Sequence, residues 1–239
     1  MSTDDHRTPP ARIGVALAGA LAVGYLLPGL AGAWHVLRRP LGIEDHTSSG
    51  RGYALTFDDG PHLLGTPAVL EILSRENVRA TFFLVGEQVL KNPALAREIV
   101  DAGHQIGLHC HRHRNLLRLT PQQVREDIAR AQDCIELHAG RSPQLYRPPY
   151  GVLNAAALRL ARARSWRTVL WSHWGRDWEA RATPASIAAR VTDHVADGAV
   201  LLLHVSDDFS APDSWRRTAA ALPRVLATLA ELQLEAVAL

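Results

Sequence analysis

The stretch YALTFDDGPHLLGTP, residues 53–67, decides the fold. Tyr53 to Phe57 are aromatic, aliphatic or β-branched, the make-up of a buried strand. Asp58 and Asp59 follow at once, and Gly60-Pro61 then stops the strand. Two like charges a few ångströms apart push one pKa up unless a cation neutralises them. A strand that ends in an acid pair is therefore a costly thing to build for packing alone.

Outward from residue 67 the chain alternates. Strand-like runs fall at 53–57, 79–84, 104–108, 144–147, 167–171, 199–203 and 234–238, and helical patterns at 66–76, 93–102, 121–138, 154–164, 184–196 and 215–231. Thr120-Pro121, Asn154 and Thr183-Pro184 mark helix starts, and Gly103 and Gly140 mark helix stops. Strand alternating with helix predicts parallel strands joined by crossovers. A count of seven or eight strands favours a closed barrel over the alternative, an open doubly wound sheet. No Gly-rich phosphate loop follows any strand, so nothing points to a nucleotide fold.

The 239 residues suffice for one sizeable core with an N-terminal appendage. A net charge of +2 argues against binding nucleic acid by charge neutralisation. Two cysteines make no disulfide framework. From Ile13 to Trp34 there are 22 residues without a charge, and as a helix these would span about 33 Å, enough to cross a bilayer. Ala31-Gly32-Ala33 also reads as a signal-peptide cleavage site, and a buried core helix is the third reading. Arginines flank the run on both sides and do not fix its orientation. The expected organisation is a hydrophobic segment over 1–37 (membrane anchor or signal peptide), a polar linker over 38–50, and a catalytic domain over 51–239. That domain is expected outside the cytoplasm, membrane-anchored or secreted.

In parallel barrels the working residues gather where strands end. Strand by strand, those positions hold Asp58 and Asp59, then His109 and His113 in HCHRH, then Arg147 before PPYG, then Asp177 and Trp178 in WSHWGRDW, then His204. Each is weak alone: twelve histidines make a spacing of four unremarkable, Asp-Asp-Gly is usually a solvated turn, and a His ending a strand is more often structural. Their convergence on one face is the signal. Two His and one carboxylate with an open position make a catalytic zinc arrangement. A divalent metal can bind one acid of the pair and leave the other as a base. His204 can supply a proton to a leaving group, and Arg147 can pair with the base. The set is suited to metal-assisted hydrolysis of an ester or amide.

TFDDGP, HCHRH, RPPYG, DW and LLLH, in that order and spacing, resemble the polysaccharide deacetylases of carbohydrate esterase family 4, which carry the chitooligosaccharide-deacetylase (NodB) homology domain. The resemblance covers about residues 51–239. It implies a distorted (β/α) barrel of about seven parallel strands, and removal of acetyl groups from an N-acetylated or O-acetylated glycan such as peptidoglycan, chitooligosaccharide or xylan. By the same resemblance Asp59, His109 and His113 would hold a divalent metal, zinc foremost, and Asp58 would be the general base, tethered by Arg147. The Tyr150 N–H would stabilise the oxyanion, Asp177 would orient His204 as the general acid, and Trp178 and Leu202 would line the acetyl pocket. Three features depart from the family pattern. Cys110 stands where a hydroxyl residue is usual, and Ser172 and Trp174 stand where acids often precede Asp-Trp. His111 is expected in a loop, and the Trp171/Trp174 pair reads either as core or as a sugar-stacking surface. A glycan-binding module without turnover and a hydrolase of non-sugar amides are the competing readings. Both sit poorly with an intact set of Asp58, His204 and metal residues.

Overall fold

The computed structural model describes residues 23–239. Eight strands form one all-parallel sheet: β1 (Ile43–Glu44), β2 (Tyr53–Gly60), β3 (Thr81–Leu84), β4 (Gln105–Leu108), β5 (Leu145–Tyr146), β6 (Arg167–Val169), β7 (His173–Trp174) and β8 (Ala199–His204). The spatial order is β1-β6-β5-β4-β3-β2-β8-β7. Among the described residues seven α-helices follow the start of β2: α1 (Gly65–Arg75), α2 (Gly86–Lys91), α3 (Pro93–Asp101), α4 (Pro121–Ala139), α5 (Ala155–Ala163), α6 (Pro184–Val191) and α7 (Ser214–Glu231). Every residue of β2 is buried, as expected of a parallel strand covered on both faces.

The run 167–174 curls the sheet into a distorted barrel. Its first half pairs with β5 and β1. The Ser172 N–H then reaches the Val200 carbonyl, and His173 and Trp174 pair with Leu201 and Leu202 of β8. One short segment thus joins both sides of the sheet. β1 lies beside it, and the chain just past β1 bridges His46 to Ala199. Helix starts follow the expected chemistry. Thr120 with Gln123 and Thr183 with Ser186 form reciprocal capping boxes, the Asn154 side chain accepts from the Ala157 N–H, and Gly140 ends α4 at φ 69°.

Four details differ from the sequence reading. Residues 234–238 form only an isolated bridge, Tyr53 to Ala236. β8 takes one side of β2 and β3 takes the other from Thr56 on, which leaves only the short start of the strand, where Tyr53 makes the bridge, open to residues 234–238. α2, of six residues, is too short to show a helical period, and α6 stops at Val191 instead of 196. The 38–50 stretch is not a free linker. It contributes β1, and Arg38 is buried with its guanidinium bonded to the Ala31, Gly32 and Trp171 carbonyls and to Asp45 at 2.8–3.1 Å. The hydrophobic helix expected over 13–34 lies in large part outside the described residues. Within them Leu27–Gly32 is a short 3-10 helix, and no described helix is long and apolar enough to cross a membrane.

Replacing Arg38 with Met leaves the Ala31, Gly32 and Trp171 carbonyls without this donor, and Asp45 keeps only His35 and His46. It should cost about 3 kcal/mol in urea unfolding, whereas Arg39→Met on the exposed neighbour should stay within about 0.5 kcal/mol. Equal effects would show that segment 27–45 does not depend on the Arg38 anchor.

Candidate active site

In a regular strand Asp58 and Asp59 would point to opposite faces. A register shift between Phe57 and Gly60, with Asp59 at φ 71°, turns both carboxylates into one cavity. That cavity, of about 220 Å³, opens at the ends of the strands. Eight of the ten residues singled out in the sequence line it: Asp58, Asp59, His109, His113, Tyr150, Trp178, Leu202 and His204. The other two, Arg147 and Asp177, are fully buried behind Asp58 and His204.

The acid pair is divided between two sets of partners. Asp58 Oδ1 accepts from Arg147 at 2.7 Å. Asp59 Oδ1 faces His109 Nε2 at 3.5 Å and His113 Nε2 at 3.3 Å. Burial pushes the Asp59 carboxyl up, but His109, His204 and His113 around it bring it down to about 2, so it is ionised at neutral pH. Burial takes His113 down to about 4, which leaves its imidazole neutral and able to donate a lone pair. His109 donates from Nδ1 to the Arg147 carbonyl at 2.7 Å, and this fixes the tautomer that aims a free Nε2 at Asp59.

These three side chains suit a divalent cation. Their ligand atoms lie within 4.8 Å of one another, and Asp59 Oδ1 is a buried carboxylate oxygen without a hydrogen-bond partner. Two imidazole nitrogens and one carboxylate oxygen are a zinc-type donor set. The family resemblance and this geometry agree on the three residues.

His204 is the register partner of Asp58 across β2 and β8 and lines the same cavity. Asp177 accepts from its Nδ1 at 2.8 Å and from its backbone N–H at 2.7 Å. Burial works to lower the His204 pKa, but Asp177 chiefly, helped by Asp59 and Asp58, raises it to about 9. The ring is therefore protonated at neutral pH. The replacement of nearby acids by Ser172 and Trp174 does not disturb this pairing.

Several contributors escaped the sequence reading. Phe209 stacks on His113 with centroids 4.3 Å apart; it lies in a loop without periodicity, and nothing marked it. Thr218 donates to Asp177 at 2.7 Å from the first turns of α7. Thr56 accepts from Arg147 at 2.8 Å. It sits two residues before Asp58 on the same strand, so the period of two could have found it. Trp171 and Trp174 line the cavity and, with Trp178 and His204, form a continuous aromatic wall with centroid spacings of 5.3–5.8 Å. His111 is buried, its ring fills the space beside Gly86, and its N–H donates to Asp127. Cys110 and Cys134 are buried free thiols, and burial raises the Cys110 pKa further from ionisation.

Residues 45–169 match the family model described as polysaccharide deacetylase. The chain is 36% identical over 176 residues to a peptidoglycan-N-acetylglucosamine deacetylase of Listeria monocytogenes, which covers 74% of this chain and 35% of that protein. It is 37% identical over 151 residues to a chitooligosaccharide deacetylase of Azorhizobium caulinodans, covering 63% of this chain and 71% of that one. Among solved structures, the Bc1960 peptidoglycan N-acetylglucosamine deacetylase matches with a TM-score of 0.77 at 30% identity, covering 83% of this chain and 91% of that one. The chain belongs to the polysaccharide deacetylase family. It spans about a third of the length of the first curated relatives it matches.

The Asp177–His204 pair supplies a pH test. A proton donor is lost as pH rises through its pKa, so activity should fall on the alkaline side near 9. Asp177→Asn removes the main upward influence and should move that limb toward the ordinary histidine value of about 6.5. An unmoved limb in the pH profile of kcat/KM would rule out the pairing as its source.

Proposed function

We propose that this chain is a metal-dependent deacetylase that removes acetyl groups from an N-acetylated glycan of the cell envelope, acting outside the cytoplasm. One observation carries the reading. Asp58 and His204, register partners side by side on adjacent strands, line the same cavity as the Asp59–His109–His113 cluster, each held by its own buried partner.

Asp59, His109 and His113 would hold the metal, zinc foremost. When bound, a divalent cation supplies Lewis-acid polarisation of the acyl oxygen and eases deprotonation of water. The chain's own groups do the rest. Asp58, with Oδ1 engaged by Arg147, keeps Oδ2 for the proton of the attacking water. The Tyr150 N–H, in a loop held at φ 60°, donates to the oxygen on which negative charge develops. His204 gives its proton to the departing nitrogen, so the C–N bond breaks to acetate and a free amine. Asp177 keeps His204 charged and oriented. Leu202 and Trp178, which line the cavity, enclose the acetyl methyl. The relatives named for peptidoglycan and chitooligosaccharide share an N-acetylated sugar, and that shared chemistry supports the substrate class.

The test is acetate release from the metal-stripped full chain, with Zn²⁺ restored, on chitooligosaccharides, peptidoglycan fragments and acetylated xylan. Metal-dependent acetate from an N-acetylated substrate is expected. No acetate from any of them, with zinc shown to be bound, would move the reading to glycan binding without turnover. Asp59→Ala should lose zinc and turnover together by titration calorimetry and acetate assay. Asp58→Asn should keep zinc and lose roughly 10²–10⁴-fold in kcat. His204→Ala should slow amide cleavage far more than cleavage of an activated ester, whose leaving group needs no proton; equal losses would remove His204 from the acid role.

A further inference from the structure

Six large apolar side chains lie exposed in one short segment: Val23, Leu26, Leu27, Leu30, Trp34 and Val36, each 41–78% exposed. Singly exposed leucines are ordinary, but a contiguous apolar strip marks an interaction surface. This strip is firmly mounted. Ala31 is part of the barrel core, Arg38 ties the Ala31 and Gly32 carbonyls to that of Trp171, and the Tyr25 hydroxyl bonds the Leu119 carbonyl and Asn154.

The acids beside the strip, Glu44 and Asp45, are each engaged by an arginine, Arg167 and Arg38. The described stretches 23–43, 112–125 and 147–176, which pack together here, hold twelve arginines and no Asp or Glu, and two of these arginines, Arg38 and Arg147, are buried. Several of those arginines are engaged elsewhere, as Arg112 is with Glu87 and Arg167 with Glu44. Arg39, Arg118 and Arg159 are exposed and make no ion pair among the described residues. Arg159 is close enough for its charge to act on the Tyr25 hydroxyl. Arg118 lines an open groove with Arg114, Asn115, Leu119 and Tyr150, and Tyr150 also lines the catalytic cavity. An apolar strip rimmed by arginines fits the interface of an anionic bilayer, where aliphatic and Trp side chains enter below the headgroups and guanidinium groups meet the phosphates. The charge-free sequence from Ile13 leads directly into the strip, which favours lipid over a soluble partner.

We infer that the face made by residues 23–36 with Arg39, Arg118 and Arg159 seats the folded domain on an anionic phospholipid surface, with the catalytic mouth opening beside the bilayer. The consequence for substrate rests on the deacetylase reading: the glycan reaching this mouth is one held at the membrane, such as a saccharide still linked to lipid, more readily than glycan far out in a wall.

The experiment uses the full chain in phosphatidylcholine–phosphatidylglycerol vesicles. The native thiols are buried, so an environment-sensitive label can be placed by Leu30→Cys or Val36→Cys, with Leu137→Cys as control. Leu137 is exposed and lies about 24 Å along α4 from its start near Arg118. Nitroxide-labelled lipid should quench positions 30 and 36 and spare 137. Quenching should fall by about twofold or more in phosphatidylcholine alone, or when Arg118→Glu and Arg159→Glu are combined. No quenching at 30 and 36 in vesicle-bound protein would overturn the surface. Equal quenching in both lipid mixtures would overturn the anionic partner, and label changes that follow protein concentration without lipid would assign the face to a second copy. Acetate release from a soluble N-acetylated oligosaccharide should be unchanged in the labelled variants. Its absence in the parent protein would count against the deacetylase reading while the labels still report on the surface.

Discussion

One buried guanidinium governs the working end of this barrel. Arg147 has no exposed surface, and it bonds Asp58, Thr56 and the carbonyls of Val169 and Leu170 while lying 4.0 Å from the Phe83 ring centroid. Desolvating an arginine is expensive unless its donors are met, and here four bonds meet them. Burial pushes its pKa down, and the Asp58 charge works against that. Asp58 is therefore structural as well as chemical, because without an acceptor there the arginine would be stranded. The same residue's carbonyl fixes the tautomer of His109. One side chain and its own backbone thus align the base and a metal ligand together, which leaves little freedom to vary one without the other.

Four of the nine non-glycine residues with positive φ among the described residues lie around the same cavity. Asp59, Cys110, Tyr150 and Arg176 all carry φ between 51° and 71° in non-glycine residues, and each sits at or next to a strand end at the mouth. Such conformations cost of order 1–3 kcal/mol each and persist only where the surroundings dictate them. At Asp59 the reason is visible: without it the two acids would face opposite sides of the sheet. At Cys110 the turn lets His109 and His113 converge from one short loop. The Cys110 side chain packs 3.7 Å from the Tyr146 hydroxyl, so the residue that departs from the family pattern serves the core and stays clear of the metal site.

Much of this was readable from residues alone, for physical reasons that also explain the gaps. Buried parallel strands and capped helices leave strong local marks, so β2, β8, α4 and α7 were found close to their true limits. The acids and histidines were found because strand ends are where a barrel places chemistry. What local marks cannot show is how a two-residue strand finds its partner. β1 and β7 exist only through pairing with β6 and β8, and residues around Ile43 read as linker because their burial depends on Arg38 reaching Trp171. Phe209 and Thr218 escaped for the same reason: each matters through what it touches across the fold.

The closure of the barrel also explains why the aromatic wall and the N-terminal segment act as one unit. The run 167–174 changes partner between Leu170, bonded to Glu44, and Ser172, bonded to Val200. Trp171 sits at that switch. Its ring lines the cavity and packs close to Gly151, while its carbonyl takes the Arg38 guanidinium. A displacement of segment 27–45 would therefore be felt first at Trp171 and the Tyr150 loop, the wall nearest the reacting carbonyl. A freely hinged anchor would protect the site from such coupling. The buried Arg38 does the reverse: it ties Ala31 and Gly32 to Trp171, so the segment and the aromatic wall move together.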